Sequence, residues 1–513
     1  MTMHPAIVRF VRPLFFAAAL LPISAFGDAR LPRATPESQG VSSRALLAFV
    51  EAADARIDSL HSLMLVRHGR VVAEGWWSPH TAEDRHMLYS LSKSFTSTAV
   101  GLAAAEGLLS VDDPVLKFFP DEAPAEPGEN LAQMRVRDLL TMSTGHHADT
   151  ITGFSTGATG SLPRQFLAYP VAHKPGTHFV YNSPATFMQS AIVQKVSGQT
   201  VLDFLRPRLF EPLGITDPHW ETTPGGISVG ASGLSIRTED IACFGQMLLQ
   251  RGTWHGRQLV PAAWIDEATA KQVSNGSNPS SDWDQGYGYQ FWRCRPGFYR
   301  ADGAFGQFCF VMPQHDAVLV LTSGVRDMQA VMNLAWDMVL PALGDAALPE
   351  DAVSQRALAG RLASLTVQAP RTEPTSPLAP QFTGRTYVFP ANERHIESMT
   401  LQVTDGMPAL IVRGDGYDAS PIVVGHDRWV RGRTRFGSDI EPRERVLVDR
   451  AVAARGGWSA PDIFTAKLCL YETPYALTVT LQFGGDIVVV GGDYNVSFSP
   501  NALPQLVGRA TPR

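Results

Sequence analysis

Lysine is scarce in this 513-residue chain. Of 43 basic residues only six are lysine, at 93, 117, 174, 195, 271 and 467, which leaves 37 arginines. Arginine keeps its proton at any working pH and lysine does not, so each lysine is a candidate for proton chemistry. Cysteine is scarcer still: four residues are too few for a disulfide scaffold. None of them has zinc-ligand spacing and no His-Glu-x-x-His run occurs, so neither metal nor cofactor is expected. Positive charge is not in excess either. The formal net charge of −6 excludes nucleic acid as the main partner. With 44% hydrophobic and 18% charged residues, the composition excludes disordered and fibrous architectures.

The N-terminus reads as a secretory signal over 1–27. Arg9 and Arg12 precede an apolar run, Leu14 to Ala25, and Ala25-Phe26-Gly27 offers small residues for cleavage. No later apolar run approaches the roughly 18 residues of a membrane span. The mature chain is therefore expected to be secreted or periplasmic, with no stable membrane span.

Ser42 and Ser43 predict a capped helix from about 44 to 56, with Leu46, Leu47 and Val50 on one face. Leu63–Val66 and Val71–Trp77 predict a hairpin turning at His68-Gly69. A helix-rich middle runs to about 275. Strand-like runs follow at Tyr287–Cys294, Phe305–Met312 and Ala317–Thr322, and a helical pattern from Met328 closes near Leu343. The economical assembly is an α+β unit over 35–345. In it one antiparallel sheet is flanked by the terminal helices and carries an inserted helical subdomain. Residues 368–380 are proline-rich and read as a linker. Residues 381–513 read as an all-β barrel or sandwich, with strands at Leu401–Val403, Ala409–Val412, Trp429–Val430, Arg445–Val448, Leu477–Phe483 and Ile487–Val490. Cys294 and Cys309 flank a hairpin and are a possible disulfide; two free thiols are the alternative.

Two serine motifs compete. Gly153-Phe154-Ser155-Thr156-Gly157 fits G-x-S-x-G, but a flexible Gly157-Ala158-Thr159-Gly160 follows where that motif needs a helix. Ser90-Leu91-Ser92-Lys93 has better surroundings. Leu91, Phe95, Ala99 and Leu102 recur at helical spacing, so 90–106 reads as a buried helix ended by Gly107. Ser90 would stand at its start, where free N–H groups favour an oxyanion, with Lys93 one turn on. Burial would disfavour the charge on Lys93 and suit it to act as a base.

These residues resemble a known family. Tyr89-Ser90-Leu91-Ser92-Lys93-Ser94-Phe95-Thr96-Ser97 is similar to the active-site helix of the serine β-lactamase-like hydrolases. That family spans class C β-lactamases, penicillin-binding DD-peptidases, esterases, D-aminopeptidases and nylon-oligomer amide hydrolases. Gly107–Pro114 and Val136–Gly145 resemble its next turn and helix. Its Y-x-N element is matched at Tyr181-Asn182-Ser183, with Ser183 replacing the second asparagine. Its K-T-G or H-x-G strand is matched at Tyr299–Phe308, with Asp302 where a cation is usual. The resemblance implies an acyl-enzyme on Ser90, with Lys93 and Tyr181 as acid and base. Ser183, Asp302, Gly303, Ala304, Phe305 and Gly306 would line the oxyanion and substrate pocket. An Asp302 carboxylate would repel the carboxylate of a β-lactam and favour a neutral or cationic substrate.

The expected partner is a small ester, amide or peptide. A D-amino-acid peptidase, a β-lactamase, a catalytically silent sensor on the same scaffold and a hydrolase using Ser155 are the alternatives. His80, His86, His146 and His147 read as ordinary polar residues and not as a metal set.

Overall fold

The computed structural model describes residues 30–153, 160–438 and 447–512, together with Met1. The leader therefore lies, Met1 apart, outside the described residues.

Ser42 accepts a hydrogen bond from the Ala45 N–H and starts helix α1 (Ser43–Arg56). Strands β1 (Leu60–Arg67) and β2 (Arg70–Trp76) follow. His68 and Gly69 between them both take positive φ, the conformation a two-residue hairpin turn requires. The long helices of the middle are α2 (Ser92–Ala105), α3 (Ser183–Ser197) and α4 (Thr238–Leu249). Then come β3 (Trp292–Arg293), β4 (Tyr299–Gly303), β5 (Gln307–Met312), β6 (Ala317–Ser323), helix α5 (Met328–Leu334) and helix α6 (Ala352–Ala363). The six strands form one antiparallel sheet in the order β2-β1-β6-β5-β4-β3, so the two ends of the unit meet at its centre.

Strand β1 is buried along its whole length because both sheet faces are covered. Leu63, Leu65, Phe308 and Phe310 join Phe49, Val50 and Trp336 in one core. Met64, Val66, Cys309 and Val311 join the other, with Phe95 of α2 and Phe244 of α4. This alternation decides the cysteine question. Cys294 belongs to the first core and Cys309 to the second, and β4 runs between β3 and β5. The possible disulfide is thereby corrected: both are buried free thiols on opposite faces of the sheet.

Two further expectations shift. In 287–294 only Trp292–Arg293 forms a strand, and Tyr287 makes isolated bridges. Gly288 packs so tightly there that a Cβ would stand 2.1 Å from the Ala268 carbonyl oxygen. The unit also does not close near Leu343. Helix α6 continues it onto α1, and the Gln355 side chain donates to Glu37 Oε2 at 2.7 Å.

The C-terminal strands are β7 (Thr386–Val388), β8 (Ile396–Thr404), β9 (Met407–Gly414), β10 (Ile422–Val423) and β11 (Val430–Thr434). After them come β12 (Arg450–Ala460), β13 (Ile463–Cys469), β14 (Ala476–Gly484), β15 (Ile487–Tyr494) and β16 (Leu506–Ala510). Their order is β10-β9-β8-β7-β16-β15-β14-β13-β12-β11, and the end strands lie alongside each other, so the sheet is a nearly closed antiparallel barrel. Arg445 falls outside the described residues, and Leu447-Val448 form no strand. The proline-rich stretch 368–380 lies on the barrel, with Glu373 and Trp458 exchanging backbone hydrogen bonds of 2.8 Å.

The barrel is also bonded to the α+β unit. Asn495 Nδ2 donates to the Gly324 carbonyl at 2.8 Å and the Met87 N–H to the Glu472 carbonyl at 2.8 Å. Three buried histidines sit at this seam. His61 Nδ1 and His86 Nε2 are 2.9 Å apart, His61 stacks on His80 at 4.0 Å, and His80 Nδ1 meets the Tyr471 carbonyl at 3.0 Å. Burial holds all three imidazoles neutral, with His86 pushed down to about 4. Groups depressed in this way favour the fold above the unfolded value and lose that contribution as pH falls. At pH 5 His86 alone should cost about 2 kcal/mol relative to pH 7. We therefore expect the urea midpoint to fall steadily from pH 6.5 to 4.5, and His86→Gln to flatten that slope by about one proton. An identical slope in the variant would contradict this.

Candidate active site

Ser90 lies on a 3₁₀ turn, Tyr89–Leu91, and α2 begins at Ser92 rather than at Ser90. Tyr89 has φ +48°, rare for a bulky residue, and this turns the chain sharply from the short strand His86–Met87 into the helix. The three-residue spacing still brings the serine and lysine together. Lys93 Nζ donates to Ser90 Oγ at 3.0 Å, to the Ala231 carbonyl at 2.7 Å and to Ser183 Oγ at 3.3 Å. Lys93 is only 2% exposed, and its ammonium lies 5.1 Å from the centre of the Tyr181 ring. The rest of α2 is sunk in the core, and its hydroxyls are bonded to neighbouring backbone: Ser94 to Gln290 and Thr96 to Gly230.

Tyr181 arrives on the segment before α3 and its hydroxyl is hydrogen-bonded to Ser90. Burial pushes its phenol well above the usual value, and Asp302 adds to that, so the proton stays on it at neutral pH. Asn182 does not face the cleft. It is fully buried, and its Oδ1 accepts from Thr150 Oγ1 at 3.0 Å. Ser183 is the residue of this motif that, with Tyr181, reaches the cavity.

Strand β4 forms the opposite wall. A Cβ on Gly303 would stand 1.9 Å from the Leu88 carbonyl oxygen, so glycine is what lets β4 lie against the serine turn. Phe305 and Gly306 have φ +66° and +92° and make the tight turn into β5. Asp302 lines the cavity as the motif predicts, but it is not the bare carboxylate expected. Arg300, fully buried, donates to Asp302 Oδ2 at 2.7 Å, and Trp292 also hydrogen-bonds it. Burial pushes the Asp302 carboxyl up, and Arg300 opposes that shift. The Arg300 guanidinium in turn stacks 4.5 Å from the Trp283 ring and donates to the Asp282 and Arg293 carbonyls. The repulsion expected from Asp302 is thus offset by a partner two residues away on its own strand.

Ser90, Lys93, Tyr181, Ser183, Asp302, Gly303 and Ala304 line a cavity of about 1020 Å³, whereas Phe305 and Gly306, expected in the pocket, do not reach it. Sequence reasoning missed much of its lining. Trp292 comes from the aromatic-rich stretch 287–294 read as strand, and Trp283, Asp149, Glu221 and Phe498 carry no motif at all. Ser155 lies outside the described residues. The other histidines singled out share no centre: His146 is buried against Thr144 at 2.8 Å, and His147 is exposed. Among the described residues no group of three or more His, Cys, Asp or Glu is disposed to hold a metal ion. No described helix is long and apolar enough to cross a membrane.

The sheet with its inserted helices, and a serine and a buried lysine facing a tyrosine across the cleft, fit the class of serine hydrolases. The Beta-lactamase family model matches residues 52–339, more than half of the chain, and the chain belongs to that family. The 6-aminohexanoate-dimer hydrolase of Paenarthrobacter ureafaciens is 24% identical over 331 residues, covering 60% of this chain and 83% of that protein. The D-aminopeptidase of Brucella anthropi is 28% identical over 161 residues, 29% of this chain and 31% of its own. A solved structure from Bacillus anthracis, named after the same dimer hydrolase, superimposes with a TM-score of 0.51 at 19% identity. It covers 63% of this chain and 89% of its own, a likeness of fold.

The Arg300–Asp302 pair makes a direct prediction. Arg300→Leu leaves a buried carboxylate without its cation and should destabilise the fold by about 3 kcal/mol or more in urea unfolding. Arg300→Leu with Asp302→Leu should recover most of that loss. A double variant no more stable than the single one would contradict the pairing.

Proposed function

We propose that the chain is an exported serine hydrolase that cleaves an ester or amide bond through an acyl-enzyme on Ser90. The observation that carries this reading is the 3.0 Å contact of Lys93 Nζ with Ser90 Oγ inside the large cavity. Lys93 in its neutral form takes the serine proton as Ser90 Oγ attacks the carbonyl carbon. Tyr181, which holds its proton, hands it to the leaving oxygen or nitrogen and is reprotonated through Lys93. The Ser90 N–H and an N–H near Ala304 bind the developing oxyanion. Water then attacks the acyl carbon and releases the acid. The names of two relatives, the dimer hydrolase and the Lovastatin esterase of Penicillium rubens, support amide and ester chemistry respectively. The apolar leader at 1–27 supports export.

A second reading, cleavage of D-amino-acid amides, is favoured by Asp149 and Glu221 on the cavity wall, where carboxylates suit a free ammonium group. Hydrolysis of a D-amino-acid p-nitroanilide against p-nitrophenyl acetate separates the two.

The test is labelling by a fluorophosphonate, read by intact mass. Wild type should gain one adduct, and Ser90→Ala none. Lys93→Arg should lower ester turnover by about a hundredfold or more, because arginine keeps the charge and cannot accept a proton. Undiminished labelling of Ser90→Ala, or an active Lys93→Arg, would overturn the assignment.

A further inference from the structure

The C-terminal barrel reaches into the catalytic cleft. Phe498, on the connection between β15 and β16, lines the cavity together with Tyr89, Ser90 and Ala304. Its ring centre lies 4.7 Å from that of Phe305 and 5.6 Å from that of Tyr89. The three rings meet edge-on or tilted, the arrangement aromatic side chains prefer. Phe498 nevertheless remains 60% exposed. A large apolar side chain set beside the nucleophile with most of its surface open has apolar area still to bury.

The placement of this ring is not loose. The barrel's Tyr475 hydroxyl bonds the Tyr89 hydroxyl, and Tyr89 immediately precedes Ser90. Tyr475 also packs on Phe305 at 5.8 Å. The barrel is thus registered on two residues, Tyr89 in the serine turn and Phe305 in the β4–β5 turn. Size points the same way. A cavity of about 1020 Å³ is at the upper end for drug-sized ligands, and an acetyl group would leave most of it empty.

We propose that Phe498 is a specificity-determining residue contributed by the barrel. With Tyr89, and backed by the buried Phe305 ring, it forms an aromatic subsite that receives a bulky apolar group of the substrate, aryl or long alkyl. The proposal rests on Ser90 as nucleophile and adds the substrate class. It also assigns the C-terminal domain a part in substrate choice.

The experiment compares wild type, Phe498→Ala and Phe498→Leu in the full chain on two ester pairs. One pair varies the acyl side, p-nitrophenyl acetate against p-nitrophenyl 4-phenylbutyrate. The other varies the alcohol side, ethyl acetate against 3-phenylpropyl acetate. In at least one pair Phe498→Ala should raise KM for the bulky ester by about tenfold, the scale set by apolar pocket contacts. The small ester should stay within about twofold, and Phe498→Leu should recover part of the loss. Equal changes on small and bulky esters in both pairs, or none on either, would overturn the proposal while Ser90-dependent turnover leaves the hydrolase reading intact. A wild type whose turnover is unchanged by Ser90→Ala would overturn that reading, and the subsite with it.

Discussion

Burying Lys93 at the start of the central helix is the constraint on which the rest of the site depends. A lysine nitrogen taken out of water must find hydrogen-bond partners. Here they are Ser90, Ser183 and the Ala231 carbonyl. Each of those partners belongs to a different part of the fold: the 3₁₀ turn, the first residue of α3, and the loop before the short strand Leu234–Ile236. Holding the lysine therefore fixes three elements around one point. Gly303 completes the closure by letting β4 come against the same turn, where any side chain would strike Leu88. The pair of residues that does the proposed chemistry is also the pair around which the helical subdomain and the sheet are registered.

A second buried charge stabilises the far wall. Arg300 and Asp302 share one strand and neutralise each other, and Trp283 and Trp292 enclose the guanidinium. The Asp302 charge at the cleft wall is consequently offset from behind by a guanidinium that is buried and does not itself line the cavity. This tempers the argument that an aspartate must exclude anionic substrates. Electrostatic choice among substrates falls instead to the whole lining, in which Asp149 and Glu221 also stand.

Local signals account for what was legible in the sequence. The α1 cap at Ser42, the His68-Gly69 turn and the apolar period of α2 are set by near neighbours, and all three appear as expected. The S-x-x-K spacing brings Ser90 and Lys93 together for the same reason, since about one helical turn joins its two ends. The errors came where tertiary packing decides. The helix starts at Ser92 because Tyr89, bonded across to the barrel, takes a left-handed conformation. Cys294 and Cys309 looked close along the chain but are divided by a strand that no local pattern reveals. Phe498 was invisible for a plainer reason. Ser497-Phe498-Ser499-Pro500 has no periodicity, and the residue belongs to the cleft only because two domains dock.

The proposed mechanism turns on one covalent event at one oxygen atom, Ser90 Oγ. Acid-quenching the enzyme during turnover of p-nitrophenyl acetate and mapping the acetyl group by peptide mass would observe it directly. The acetyl should be found on the peptide carrying Ser90, and on no peptide of Ser90→Ala. Turnover with the acyl group on Ser155, or with no acylated peptide at any quench time, would contradict the central claim.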